Sequence, residues 1–196
     1  MADGGGRRPP AHAGFGSELR IDWLEADELA DGRPGRLGMT FLPGKRGAST
    51  RYPGFVYQRR LDDDLAAFLA LGVRRVILLV EDEELARWSD PGIVARAARG
   101  GLDVRRHPIP DGGTPPSMEA MDVILEEIAS GRDSGDVAVA CMGGVGRTGL
   151  VAACALVRAG RNPVAAIERV RAVRHPTAVE TPEQERFVTA YAARTS

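Results

Sequence analysis

Cysteine and histidine are scarce in this chain. Among 196 residues there are two cysteines and three histidines, and no CxxC pair. That scarcity excludes a disulfide scaffold and a Cys/His zinc site, so neither a metal nor a cofactor is expected. An excess of one charge is missing too. With 26 Lys and Arg against 27 Asp and Glu, the net charge is −1. Such a balance gives no reason to expect nucleic acid or an anionic membrane as partner. No apolar run approaches the roughly 20 residues that span a bilayer. The opening Met1-Ala2-Asp3-Gly4-Gly5-Gly6-Arg7-Arg8-Pro9-Pro10 lacks the apolar core of a signal peptide. A reducing, cytoplasmic setting is the expectation. Heavy use of Ala, Arg and Gly points to a GC-rich bacterial genome.

What is present is one concentrated signal. Val137-Ala138-Val139-Ala140 reads as a buried strand, and it runs into Cys141-Met142-Gly143-Gly144-Val145-Gly146-Arg147-Thr148. Backbone N–H groups of a tight glycine-rich loop bind anions, and the following helix adds its positive N-terminal end. Arg147 can grip two phosphate oxygens in a bidentate fork. The same positive field favours Cys141 as thiolate, the reactive form. The expected phosphate cradle is therefore Met142, Gly143, Gly144, Val145, Gly146 and Arg147, with Cys141 at its base.

Around this loop, strands alternate with helices. Strands are expected at Leu19 to Leu24 (an edge), Leu37 to Leu42, Val73 to Val80, Leu102 to His107 and the run before Cys141. Helices are expected over Leu61–Leu71, Glu81–Trp88, Ile93–Arg99, Pro116–Ser130, Gly146–Ala159, Asn162 to about Arg174, and from Thr181 onward. Caps support several of these: acidic residues 62–64 at a helix start, Gly72 past its end, and Thr181-Pro182 opening the last. The helix after Cys141 is apolar nearly all round and is expected to be buried. Alternation of this kind gives an α/β fold, a central mostly parallel sheet flanked by helices on both faces. Residues 1–17, rich in Gly and Pro, are expected to be a disordered N-terminal segment, and 18–196 a single domain. Residues 43–60 carry Lys45, Arg46, Arg51, Arg59 and Arg60 among glycines and prolines. They read as a loop, either facing a substrate or forming a solvated basic surface.

The pattern C-x5-R followed by Thr resembles the signature of the cysteine-based protein tyrosine phosphatases, in the glycine-rich form of the dual-specificity branch. The resemblance implies that Cys141 attacks phosphorus and becomes phosphocysteine. It implies that Arg147 binds phosphate and that the Thr148 hydroxyl steadies the departing thiolate. One position departs from it: Ala140 stands where the family usually has His, which supports the loop and helps ionise the cysteine. Members of the family also supply an Asp some 30 residues upstream as general acid. Asp111 lies 30 residues before Cys141, in His107-Pro108-Ile109-Pro110-Asp111-Gly112-Gly113-Thr114-Pro115-Pro116. Its flanking prolines stiffen the arms while two glycines allow a hinge. Read alone, Asp111-Gly112 would be an ordinary turn.

Pro-Ile-Pro-Asp-Gly-Gly-Thr-Pro, Leu37 to Gly44 and Leu150 to Cys154 resemble the kinase-associated phosphatase branch (cyclin-dependent kinase inhibitor 3-like), over about residues 36–190. That branch acts on phosphothreonine and phosphotyrosine in proteins, in animals on a cyclin-dependent kinase, a substrate that does not carry over to a bacterial chain. A phosphorylated protein substrate is the expected partner; the oligomeric state is not legible. Gln184 falls where related phosphatases carry a water-orienting glutamine, or is a polar residue in a helix's first turn. His175 reads as a turn residue and His107 as a residue beside the acid loop. Cys154 lies too far along the helix from Cys141 for a disulfide. The cradle residues 142–145 carry no charge, which points to a singly phosphorylated group. A binding pseudophosphatase, suggested by Ala140, and an arsenate reductase or rhodanese are the competing readings.

Overall fold

A computed structural model describes residues 18–49 and 52–195. The segment 1–17, expected to be disordered, lies outside the described residues, as does Arg51. The described residues form seven strands and seven α-helices. The strands are β1 (Asp22–Leu24), β2 (Leu37–Phe41), β3 (Arg46–Ala48), β4 (Val56–Gln58), β5 (Val73–Leu78), β6 (Asp103–Arg106) and β7 (Asp136–Cys141). The helices are α1 (Leu61–Ala70), α2 (Asp82–Trp88), α3 (Ile93–Arg99), α4 (Met118–Arg132), α5 (Gly146–Arg158), α6 (Pro163–Val173) and α7 (Pro182–Thr195). The main sheet has the order β1-β2-β7-β5-β6, parallel throughout except for the antiparallel edge β1.

β7 is central because both its faces are covered. Val137, Val139 and Cys141 join a core with α4, α5, α6 and α7, while Ala138 and Ala140 face Phe68, Leu85 and Ile93 from α1, α2 and α3. The strand's two-residue period thus sends the cysteine toward α5. Helix α5 is buried over its length, with Leu150, Val151 and Leu156 wholly inaccessible. At about 1.5–3 kcal/mol for each such side chain, these three alone fix the helix that follows the loop. Its cysteine, Cys154, is free, and burial pushes its thiol well above the usual range. No helix among the described residues is long and apolar enough to cross a membrane.

One expectation needs correction. Residues 43–60 are not only a loop: β3 and β4 pair as an antiparallel hairpin, with Gly47 opposite Tyr57. Nor is the segment a uniformly solvated basic surface, although Arg46 and Arg60 are exposed. Lys45 and Arg59 are buried, and Arg59 forms a two-point ion pair with buried Asp64 of α1. β3 is Arg-Gly-Ala and β4 is Val-Tyr-Gln, and three residues each are too few to carry a period, so pattern alone could not show them.

Candidate active site

The sheet's carboxyl edge, the usual place for ligands in open α/β folds, carries a cavity of about 390 Å³. Cys141, Met142, Gly143, Val145, Gly146 and Arg147 form its floor. Asp111, Glu81, Glu84, Trp88, Glu180, Lys45, Ser49, Tyr52 and Tyr57 form its walls. Strand β7 ends at Cys141, and α5 begins at Gly146 with its unpaired N–H groups turned to the same floor.

The loop's shape is imposed from behind. Arg174, at the end of α6, donates from Nε to the Gly144 carbonyl (2.8 Å) and from Nη2 to the Gly143 carbonyl (3.1 Å). Its third donor holds Asp22 at 2.7 Å. Burial lowers the Arg174 pKa against the opposing pull of Asp22. Lys45 donates to the next carbonyl back, that of Met142, at 3.1 Å. Three consecutive carbonyls are therefore tied to cations outside the loop. Since N–H and C=O point oppositely across a trans peptide, the N–H groups of Gly143, Gly144 and Val145 turn the other way. Gly144 itself sits at φ +67°, and a Cβ there would strike the Thr40 carbonyl. Only glycine fits.

Arg147 is 1% exposed and its guanidinium is fully directed. Glu84 of α2 takes it in a fork: Nη1 to Oε2 at 2.6 Å and Nη2 to Oε1 at 2.8 Å. Nη1 also donates to the Ile109 carbonyl at 2.9 Å, and Nη2 to Asp111 Oδ1 at 2.9 Å. Burial alone would lower the Arg147 pKa; Glu84, then Cys141 and Asp111, hold it above the usual value. For Glu84, burial works upward, and Arg147, the Glu81 N–H and Lys45 outweigh it, leaving the carboxyl below its usual range. Both oxygens of Glu84 are thus committed, one of them also accepting the Glu81 N–H in a capping box.

The structure brings the expected residues Cys141, Arg147 and Asp111 to one cavity. Thr148 lies beside them in α5, its wholly buried Oγ1 without a hydrogen-bond partner. A buried hydroxyl left unpaired costs about 1–3 kcal/mol unless something in the working state uses it. Gln184 is buried behind the floor, not on it. Its Oε1 accepts the Glu180 N–H (2.9 Å) and its Nε2 donates to the Gly113 carbonyl (2.9 Å). Together with Thr181 Oγ1, which donates to the Gly112 carbonyl, it ties α7 to the Asp111 loop. His107 pairs with Glu127 and His175 with Thr177, neither in the cavity lining. Sequence reasoning missed Glu84 and Arg174, and named Lys45 only among the basic residues of 43–60 that could face a substrate. Glu84 reads as the third residue of an ordinary capping box, and nothing local marks a Lys or Arg for burial.

Comparison with known proteins agrees with this architecture. The rat (Rattus norvegicus) cyclin-dependent kinase inhibitor 3 is 27% identical over 172 residues, 87% of this chain and 77% of its own. A solved structure of kinase associated phosphatase, with serine for its catalytic-site cysteine, superposes with a TM-score of 0.78 at 24% identity, covering 90% of this chain and 96% of that one. A second, Tk-PTP in the active form, gives a TM-score of 0.62 at 31% identity, covering 84% and 95%. The family model for cyclin-dependent kinase inhibitor 3 (CDKN3) matches residues 17–165. The chain therefore belongs to that family, within the cysteine-based dual-specificity phosphatase superfamily.

Proposed function

We propose that this chain is a working phosphoprotein phosphatase, cleaving phosphotyrosine and/or phosphoserine/threonine monoesters through a phosphocysteine intermediate. The observation that carries the reading is the convergence of Cys141, Arg147 and Asp111 on one cavity floored by inward-turned amides. The phosphate enters over the α5 N-terminus and takes Arg147 Nη2 from Asp111. That exchange is open because the Asp111 side chain is 80% exposed while the arginine cannot move from its Glu84 fork. Cys141 Sγ, as thiolate, forms a bond to phosphorus while the bond to the leaving oxygen breaks. Asp111, displaced from the arginine, delivers a proton to that oxygen. In the second step water attacks phosphorus, gives its proton to Asp111, and the S–P bond breaks. The unpaired Thr148 hydroxyl donates to the sulfur that leaves. Gln184 supports this step by bracing the Asp111 loop at Gly113.

Two free cysteines suit a reducing cytoplasm. The test is turnover of p-nitrophenyl phosphate with a trapped phosphocysteine on rapid acid quench. Turnover in the wild type and none in Cys141→Ser supports the reading. Phosphopeptide binding with no turnover would instead support the pseudophosphatase that Ala140 suggests.

A further inference from the structure

The charges around the cavity do not obviously suit an anion. Four carboxylates line it, those of Glu81, Glu84, Asp111 and Glu180, against two cations, Lys45 and Arg147. Arg147 is already matched by Glu84 and by Asp111. Arg174, behind the floor, is fully enclosed and paired with Asp22. Lys45 is different. It makes no ion pair among the described residues; its partners are the Met142 carbonyl at 3.1 Å and the face of Tyr57, 3.9 Å from the ring centroid. A carbonyl and a ring face hold an ammonium in place without cancelling its charge.

We propose that Lys45 supplies the uncancelled positive charge that lets this cavity hold a tetrahedral dianion, and that anion binding therefore rises and falls with the charge on Lys45. This rests on the phosphatase reading of the same site. Lys45 is a positioning residue: it acts on the anion through the field of the cavity and through the Met142 peptide, whose carbonyl it fixes.

Three observations agree. The side chain is brought in by the hairpin, not by the glycine-rich loop, so the uncharged loop is not the whole of the cavity's electrostatics. It is only 6% exposed, so bulk water screens it little. Burial also pulls its pKa down to about 8, while Cys141, Asp111 and Glu84 pull the other way. Lys45 is therefore charged at neutral pH and loses its charge as pH rises through about 8. The other groups facing it are Arg147 from α5, Glu81 just before α2, Glu180 before α7, and Tyr52 and Tyr57 from the hairpin segment.

The experiment measures binding of tungstate, a tetrahedral dianion, by calorimetry from pH 6.5 to 9.5. It uses the full chain in a Cys141→Ser background, which removes the thiol and with it one of the groups that raise the Lys45 pKa, so the parent's fall is expected at or somewhat below pH 8. Lys45→Met is expected to bind about 10- to 100-fold more weakly at pH 7, the effect of one charge several ångströms off at intermediate effective dielectric. Its affinity is expected to be flat through pH 8, where the parent's falls. Lys45→Arg keeps the charge at every pH used, so it is expected to bind like the parent at pH 7 and to show no fall through pH 8. A Lys45→Met protein that binds like the parent overturns the proposal, as does a Lys45→Arg protein with the parent's fall. If Lys45→Met does not fold, the Lys45→Arg profile decides alone. Turnover of p-nitrophenyl phosphate by the protein with Cys141 intact separates the two failures. Turnover with Lys45-independent tungstate binding sinks this inference only, and Lys45-dependent binding without turnover sinks only the phosphatase reading. Absence of tungstate binding in the parent overturns the proposal outright.

Discussion

Glu84→Ala tests whether the arginine is a preset clamp. The carboxylate holds Arg147 by two hydrogen bonds of 2.6 and 2.8 Å, with the arginine side chain 1% exposed and the glutamate 17%. Removing one partner of a buried pair strands the other, at about 3–5 kcal/mol. Asp111 and the Ile109 carbonyl remain to share the guanidinium, which moves the expectation to the lower end, about 3 kcal/mol. Loss of the capping box adds to it. The effect has a pH signature. The carboxyl of Glu84 is held below its ordinary value near 4.5. The unfolded chain therefore takes up that proton first as pH falls, so the contribution is complete above about 4.5 and vanishes as pH drops through the folded value. Urea melts at pH 7 and at pH 4 or below read the difference directly. In turnover, the freed guanidinium is expected to pair more closely with Asp111, lowering kcat/KM by about 10²-fold. Glu84→Gln, which can accept at only one oxygen, is expected to fall between. A Glu84→Ala protein as stable as wild type at pH 7, or one whose destabilisation does not shrink as pH is lowered below 4, refutes the argument.

Asp111→Ala is expected to cost about 10²- to 10⁴-fold in turnover of an alkyl phosphate, the usual share of general acid catalysis, and less with p-nitrophenyl phosphate. Equal losses on the two substrates would remove Asp111 from the acid role. Gly144→Ala combines a φ of +67° with a Cβ against Thr40 O and Arg174 Nη2, so loss of tungstate binding and a lowered melting temperature are expected; unchanged binding would show that the loop does not need its glycine. Ala140→His places an imidazole at a site with no exposure, among the side chains of Phe41, Leu78 and Val80. Overpacking there is expected to cost about 1–3 kcal/mol with no gain in rate. Faster turnover at unchanged stability would show that the site has room for the family's histidine.

The parts of this molecule that were legible in the sequence share a cause: each was written in a short, contiguous stretch. The strand run 137–141, the glycine loop and the apolar α5 are consecutive, and period and composition suffice for them. Asp111 is legible only through the family resemblance, which implies an acid some 30 residues before the cysteine, and the fold does close Asp111 onto Arg147. Helix ends followed their caps, as at Asn162, whose side chain accepts from the Val164 N–H. The β3–β4 hairpin failed the same test because strands of three residues, Arg-Gly-Ala and Val-Tyr-Gln, are too short to hold a period.

What stayed hidden is the set of charges that act across the fold. Lys45 lies 97 residues from the loop position it serves and Glu84 lies 63, while Arg174 lies 30 and 31 from its two. In sequence each looks like a surface residue, since Lys, Arg and Glu are seldom buried without a partner. The partners are the reason they are buried here, and Lys45 and Arg174 both bind backbone carbonyls, which every residue carries, Arg174 alongside its ion pair with Asp22. A cation that binds a carbonyl leaves no trace of complementary charge elsewhere in the sequence. Reading the cradle from residues 141–148 alone gives a loop with one charged side chain. The folded site instead works as a loop whose three carbonyls are restrained from outside, around an arginine already balanced by two carboxylates. Loop composition therefore does not by itself set what charge the cavity prefers; the hairpin that delivers Lys45 does.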